Sequence, residues 1–294
     1  MEKNIDLHFH SVYSEGDYTV PELLQLAKDN NIHVLAMTDH NVIAGVAELV
    51  KLAPDYGIKA IPGVEIYTHF ENVPLHLLGY NFDPENKQIK KMIHDLQTDN
   101  EKNINNSISN LQQEGFVIDE KKLFKSTSRN FGAIHILKEM ELHPENIKKL
   151  EKDLGNNFDN FFIKIEKYFG QGRPGYMPLS EIPTDQAIKI IQAGSGFSSL
   201  AHPGQQLTYE QDNLILNLVS KGLDAIEVLS PYHNWHQIEH YQKVADKNNL
   251  LITGGSDFHG DIDFKKQELI QRQWDYFHVP YKIFEQLNNK ITNL

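Results

Sequence analysis

The sequence predicts an α/β fold. Two observations predict it: short, continuously apolar runs recur along the chain, and amphipathic helical patterns separate most of them. A third bears on what such a sheet would do, because nearly every apolar run carries or ends in a histidine or a carboxylate. Seven runs have strand length, at residues 4–10, 33–38, 59–68, 73–81, 196–202, 223–230 and 249–256. Runs that are apolar throughout and alternate with helices imply parallel strands covered on both faces. Seven of them fit a barrel as readily as an open sheet. No G-x-G-x-x-G follows the first run, so a dinucleotide fold has no support.

Between the first two runs, "TVPELLQLAKDNN" has the capping-box spacing of Thr19 and Glu22, Pro21 in the first turn, and Val20, Leu23, Leu24 and Ala27 on one face. Similar patterns predict helices over 41–53, 184–193, 209–221 and 234–248, and the C-terminal "YKIFEQLNNKITNL" predicts a closing helix. From about Asp83 to Tyr176 the chain turns polar, rich in Asn and Lys, and helical in pattern. The predicted organisation is therefore a strand-bearing domain over 1–82 and 177–294, interrupted by a helical insertion over 83–176.

Composition narrows the function. A net charge of −12 argues against a general nucleic-acid or anionic-membrane surface, so no long duplex nucleic acid is expected as a partner. With no cysteine, disulfides and thiolate ligands are excluded, and any metal must be held by His, Asp and Glu. No window approaches the run of about 20 apolar residues that spans a membrane. The opening "MEKNIDLHFH" lacks a signal-like apolar stretch, and a cytoplasmic location is expected.

The candidate chemistry lies in the strand-associated His and acid residues. His8 and His10 are two apart on a strand, so both face one way while Leu7 and Phe9 face the other. His40 ends the second run, Glu65 lies in the third, His76 in the fourth, and His202 ends the fifth; Asp257 and His259 follow the seventh. A lone His at a strand end is ordinarily a polar edge residue. A ligand-type residue at nearly every strand is hard to explain by packing, and its His/carboxylate chemistry points to a metal centre. His33, His94, His143, His240 and His278 are read as surface or structural residues, with His69, His135 and His236 leaning the same way.

On these motifs ("DLHFHSVYSEG", "VLAMTDHN", "GVEIYT", "LHLLGYNFD", "LAHPG", "GLDAIEVLSPYH" and "GGSDFHG") the chain resembles the polymerase-and-histidinol-phosphatase (PHP) family of metal-dependent phosphoesterases. The match runs from Asp6 to Gly260, outside the insertion. The resemblance implies a distorted (βα)7 TIM-like barrel and two to three divalent metal ions, of Mn, Zn or Fe. It assigns His8, His10, Glu65 and Asp257 to one metal. A second would share Glu65 and add His76 and His202. A third would take His40, His259 and the acid of the S-D-G position, here Glu15 within Ser14-Glu15-Gly16, with Asp17 close by. Asp39 is expected to orient a ligand imidazole or the attacking water, and His259 to serve the catalytic step as well.

The implied chemistry is phosphoester hydrolysis by a metal-bridged hydroxide. Three dications would outweigh the carboxylates of Glu15, Glu65 and Asp257, giving an anionic substrate one place to go in an acidic protein. Arg129, where similar family members carry an Arg from the insertion, and Arg173 are the expected phosphate grips, with His233 lining the pocket beyond the sixth run. The sequence reads Arg129-Asn130-Phe131 where the family often has R-P-H. Within the family the chain is similar to small stand-alone members that remove the 3′-phosphate of nucleoside 3′,5′-bisphosphates, some of which also trim short RNA 5′ ends. The expected partner is thus a small phosphorylated molecule, a nucleotide, with short RNA as a further substrate. Histidinol phosphate and cyclic phosphodiesters stay open. An amidohydrolase reading is disfavoured because no Lys occupies a ligand-like strand end. A non-catalytic module is ranked last because every ligand position is filled by a competent residue.

Overall fold

A computed structural model describes residues 3–260 and 273–291. Its elements, in chain order, are β1 (Asn4–Phe9), α1 (Val20–Asp29), β2 (Ile32–Met37), α2 (Val46–Leu52), β3 (Lys59–Ala60), β4 (Gly63–Phe70), β5 (Val73–Tyr80) and α3 (Lys87–Gln113). There follow α4 (Glu120–Leu123), α5 (Ala133–Met140), α6 (Pro144–Leu154), α7 (Phe161–Phe169), β6 (Ile182–Pro183), α8 (Thr184–Ala193), β7 (Phe197–Leu200) and α9 (Pro203–Gln206). The chain closes with α10 (Asp212–Ser220), β8 (Ala225–Leu229), α11 (Trp235–Asn248), β9 (Leu251–Gly254), α12 (Gln273–Tyr276), β10 (Val279–Pro280) and α13 (Lys282–Ile291). The last part of the predicted closing helix, 292–294, lies outside the described residues. Among the described residues no helix is long and apolar enough to cross a membrane.

The chain divides into two compact units, Met1–Asp95 with Glu181–Leu294, and Leu96–Ser180. The first unit is mixed α/β. One sheet runs in the order β10-β1-β2-β3, the other β6-β4-β5-β7-β8-β9. Two isolated parallel bridges, Phe9 with Phe258 and His40 with Glu65, link strands of the two sheets beyond their regular ladders.

One sequence expectation is corrected. The strands are not uniformly parallel: β5 runs antiparallel to both β4 and β7. Phe70 pairs with Val73, so only Glu71 and Asn72 join β4 to β5, and both have positive φ, 51° and 64°. Two residues close a hairpin, whereas a parallel return needs a crossover of a dozen or more. The apolar run over 59–68 also divides at Ile61-Pro62 into β3 and β4.

The α1 helix forms as its sequence directs. Glu22 accepts the Thr19 N–H at 2.8 Å, and Val20, Leu23, Leu24 and Ala27 are the buried face. That face packs with Phe9, Leu35, Met37 and Trp274. A second apolar cluster joins Ile5, Leu7, Val34, Tyr80 and Phe197 to Ile283, Phe284 and Leu287 of α13. The buried Tyr80 hydroxyl donates to the Leu7 carbonyl at 2.7 Å, tying β5 to β1.

The second unit is helical, with a core of Ile104, Ile108, Leu111, Ile136, Leu137, Met140, Leu150 and Phe169. Two buried asparagines pin its connections. Asn146 accepts the Val117 N–H at 2.9 Å and donates to the Val117 carbonyl at 2.7 Å, and Asn100 brackets Phe131 in the same way at 2.9 Å on both sides. Helix α3 is continuous through 98–103.

Gly255 marks the tightest approach in the first unit. A Cβ there would lie 2.4 Å from the His8 backbone nitrogen and 2.7 Å from its Cα. Backbone cannot move aside as a flexible side chain can. Gly255→Ala is therefore expected to cost about 1–3 kcal/mol, read as a lowered unfolding midpoint. An unchanged midpoint would show that this close approach of β1 is not structurally required.

Candidate metal centre

Five imidazoles converge on one carboxylate. Glu65, in β4, is fully buried. Its Oε2 lies 3.1 Å from His8 Nε2, 3.2 Å from His10 Nε2 and 3.1 Å from His40 Nδ1. Its Oε1 lies 2.8 Å from His76 Nδ1 and 3.2 Å from His202 Nε2. Asp257 adds a second carboxylate, with Oδ1 at 2.9 Å from His10 Nε2, 3.2 Å from His8 Nε2 and 3.6 Å from His259 Nδ1.

The backbone explains how residues so far apart in sequence meet. His8 and His10 sit at the end of β1, His40 just past β2, His202 just past β7, and Asp257 and His259 past β9. His76 comes from the middle of β5, whose reversed direction brings it opposite Tyr67 of β4. His202 and Asp257 both take positive φ, 22° and 52°, a conformation that non-glycine residues hold only when their surroundings enforce it.

Electrostatics alone does not satisfy this cluster. Burial would raise the Glu65 carboxyl, but the imidazoles of His40, His8 and His76 outweigh burial and hold it well below the usual carboxylate range. Asp257 is driven down in the same way, chiefly by His8 and His259 against its burial. His10 and His259 stack at 4.0 Å between ring centroids. Despite its burial, His10 is pushed up to about 9 by Asp257 and Glu65, whereas burial and the His10 charge push His259 down to about 4.

Among the described residues the buried Nδ1 atoms of His10, His40 and His202 have no hydrogen-bond partner. For His40 this holds although Glu65 Oε2 is 3.1 Å away, because the approach is not that of a hydrogen bond. Buried polar atoms are ordinarily paired. The crowding itself is what points to a ligand shell, since five ring nitrogens and two carboxylates share one small buried space. Among the described residues, three sets have ligand atoms that lie within 4.8 Å of one another: His8, His10, Glu65 and Asp257; His40, Glu65 and His76; and His10, His40 and His259. Such His/carboxylate donors suit Mn, Fe or Zn.

The other expected site residues fall as follows. Glu15 is half-buried and lies outside all three sets. Its charge is felt by Tyr67, whose hydroxyl is pushed up first by burial and then by Glu15, and whose ring stacks on His40 at 4.5 Å. Asp39 is buried, and its carboxylate accepts the Ser11 N–H at 2.8 Å, the Ser11 hydroxyl at 2.7 Å and the Ser14 hydroxyl at 2.5 Å. It fastens the loop after His10 rather than an imidazole. His233 is buried with both ring nitrogens committed: Nδ1 donates to the Val228 carbonyl at 2.9 Å, and Nε2 accepts the Gly204 N–H at 3.0 Å. It therefore joins the end of β8 to the turn after His202, with no ring nitrogen left for a substrate.

In the helical unit Arg129 is exposed and donates to the Ser128 carbonyl at 3.1 Å. Arg173, also exposed, lines a cavity of about 540 Å³ with Asn160, Phe162, Glu166 and Lys167. Among the histidines read as structural, His143 pairs with Glu139 at 3.0 Å and His240 with Asp212 at 3.0 Å.

Three residues of the centre were not singled out from sequence. Glu227, fully buried in β8, faces His8. Tyr232, whose hydroxyl is pushed up first by burial and then by the Asp257 charge, meets the His202 ring edge-on at 5.9 Å. Asp6 accepts from His8 N–H, Ser256 and Trp274. A signal existed for two of them: an acid inside the otherwise apolar "AIEVL" and "NIDLHF".

Comparison with known proteins points to a family. The PHP domain family matches residues 6–173, more than half the chain. The chain is 28% identical over 267 residues to a 5′-3′ exoribonuclease of Haemophilus influenzae, covering 88% of this chain and 91% of that one. It is 27% identical over 270 residues to a 3′,5′-nucleoside bisphosphate phosphatase of Chromobacterium violaceum, covering 87% of each. Its fold matches a crystal structure from Bifidobacterium adolescentis, described as a metal-dependent phosphoesterase, with TM-score 0.77 and 22% identity over 98% of this chain and 96% of the other.

Removing the shared carboxylate tests the centre. Glu65→Gln should weaken metal binding by more than the roughly 10–100-fold that loss of an outer hydrogen-bond partner costs. Metal content after dialysis checks it, and full retention would sink the assignment of Glu65 as a ligand.

Proposed function

The chain is a metal-dependent phosphoesterase of the PHP domain family, and we propose that within this class it removes the 3′-phosphate from a nucleoside 3′,5′-bisphosphate. The observation that carries the reading is the division of Glu65, one oxygen facing His8, His10 and His40 and the other facing His76 and His202. A carboxylate shared between two ligand sets would hold two ions close together, the arrangement that two-metal phosphoester chemistry uses. The similarity to the bisphosphate phosphatase of Chromobacterium violaceum supports the choice of substrate.

In this proposal His8, His10, Glu65 and Asp257 hold one ion, and Glu65, His76 and His202 a second. His40, His259 and Glu15 are the proposed ligands of a third. Ions bound there supply Lewis-acid neutralisation of charge on the phosphoryl oxygens and make water acidic enough to ionise near neutral pH. The chain's own groups do the positioning. Glu65 and Asp257 stay ionised because the imidazoles around them favour the carboxylate form. His259 donates Nδ1–H to the Asp257 carbonyl at 2.8 Å, so Nε2 is its basic nitrogen, available as a ligand or a proton acceptor. Asp39 keeps the 11–14 loop in place beside Glu15. Arg129 is the proposed grip on the second phosphate, with Arg173 as a further cation. We also read the Phe9–Phe258 and His40–Glu65 bridges as the joins that would close the two sheets into a distorted barrel.

A second reading, trimming of short RNA from its 5′ end, is favoured by the similarity to the Haemophilus influenzae exoribonuclease. It uses the same centre on a longer substrate.

The experiment is phosphate release by Mn-reconstituted protein from adenosine 3′,5′-bisphosphate, AMP, histidinol phosphate, a cyclic phosphodiester and a short 5′-phosphorylated RNA. The bisphosphate is expected to be preferred. Preference for the RNA would move the assignment to the second reading, and no hydrolysis of any member would overturn both. Arg129→Ala is expected to raise KM for the bisphosphate about tenfold, the loss of one charge-assisted contact, with metal content unchanged; an unchanged KM would remove Arg129 from the site.

A further inference from the structure

Glu227 is a buried carboxylate with no assigned task. It lies in β8, has no exposed surface, and belongs to none of the three ligand sets. A buried acid costs several kcal/mol of lost hydration unless its oxygens are matched. Both are matched here, and by the metal centre itself. His8 Nδ1 lies 3.1 Å from Oε1 and 3.3 Å from Oε2. The His202 backbone N–H donates to Oε2 at 2.8 Å.

We propose that Glu227 is the positioning residue that sets two metal-ligand histidines at once, His8 through its ring and His202 through its backbone. The inference rests on the metal-centre reading above. Glu227 already accepts the His202 N–H, and its two oxygens straddle His8 Nδ1, so His8 places its Nδ1–H on it. That fixes the ring's rotation and leaves Nε2 as the nitrogen aimed at Glu65 Oε2, 3.1 Å away, and Asp257 Oδ1, 3.2 Å away. The same carboxylate holds the peptide of His202, whose φ of 22° is one that a non-glycine residue keeps only under constraint. Held there, the His202 ring stacks on His8 at 5.4 Å between centroids and reaches Glu65 Oε1 with Nε2 at 3.2 Å. One oxygen pair thus reaches one histidine at each oxygen of Glu65, His8 at Oε2 and His202 at Oε1.

Glu227→Gln preserves shape and removes the charge, and Glu227→Ala removes both. Metal affinity is measured by equilibrium titration with Mn²⁺ and Zn²⁺, and the Nδ1–H proton of His8 is followed by NMR in the Zn²⁺-loaded protein. The expected result for Glu227→Gln is a roughly 10–100-fold loss of metal affinity, an upfield shift of the Nδ1–H proton, and an unfolding midpoint of the metal-free protein no lower than wild type. A residue that only supported the fold would lower the midpoint and leave the proton where it was. Should Glu227→Ala fail to fold, the Gln variant alone decides. Wild-type protein that takes up no metal would overturn the centre and this inference together. Normal wild-type uptake, with unchanged affinity and an unshifted proton in Glu227→Gln, would overturn this inference alone.

Discussion

The burial of Glu65 is the constraint on which the rest of the first unit depends. A carboxylate with no access to water must be met by groups that favour its charge, and five imidazoles do so at 2.8–3.2 Å. Those imidazoles come from β1, from the ends of β2 and β7, and from β5. The strands must therefore arrive in one register for the charge to be tolerated at all. The hairpin of Glu71 and Asn72 is part of the same requirement, since it turns β5 back so that His76 lies opposite Tyr67, beside the His40 ring.

Three further buried acids stand behind the centre, and each accepts from several donors. Asp6 takes the Ser256 and His8 N–H groups and the Trp274 indole; Asp39 takes Ser11 and Ser14; Glu227 takes His8 and His202. Every one ties down a segment that carries a proposed ligand or adjoins one. The positive φ values at His202 and Asp257 sit on two of these segments. Strain of that kind persists only where the surroundings over-determine the backbone, and here the surroundings are charge-assisted hydrogen bonds in a dry interior. Desolvation leaves its mark on Asp6, which burial pushes up to about 6 in spite of its hydrogen bonds.

Most of the proposed centre was legible because its residues lie within or just past the strand patterns. Two histidines two apart on β1 must face one way, and the strand-associated positions of His40, Glu65, His76, His202 and Asp257 could be found from apolar runs alone. Strand direction was less legible. Val73–Tyr80 is as apolar as a parallel core strand, and the information that reverses it lies in the length of the link before it. Glu227 escaped notice for a different reason: a single acid inside "AIEVL" has no partner nearby in sequence, and His8 is 219 residues away. His233 shows the converse. Its place after β8 resembles a pocket position, but the structure spends both of its nitrogens on backbone.

The ligand sets differ in charge, and that ranks them. His8 and His10 bring two carboxylates with them, Glu65 and Asp257, so a dication there is met by two full negative charges. The set of His40, Glu65 and His76 offers one. His10, His40 and His259 offer none, and neutral imidazoles repay the dehydration of a dication least well. Glu15 is the acid the sequence provides for that third set, yet it is half-buried and set apart from the three rings. In the proposed arrangement the third set therefore depends on Glu15 for any carboxylate at all, whereas the other two sets already hold Glu65.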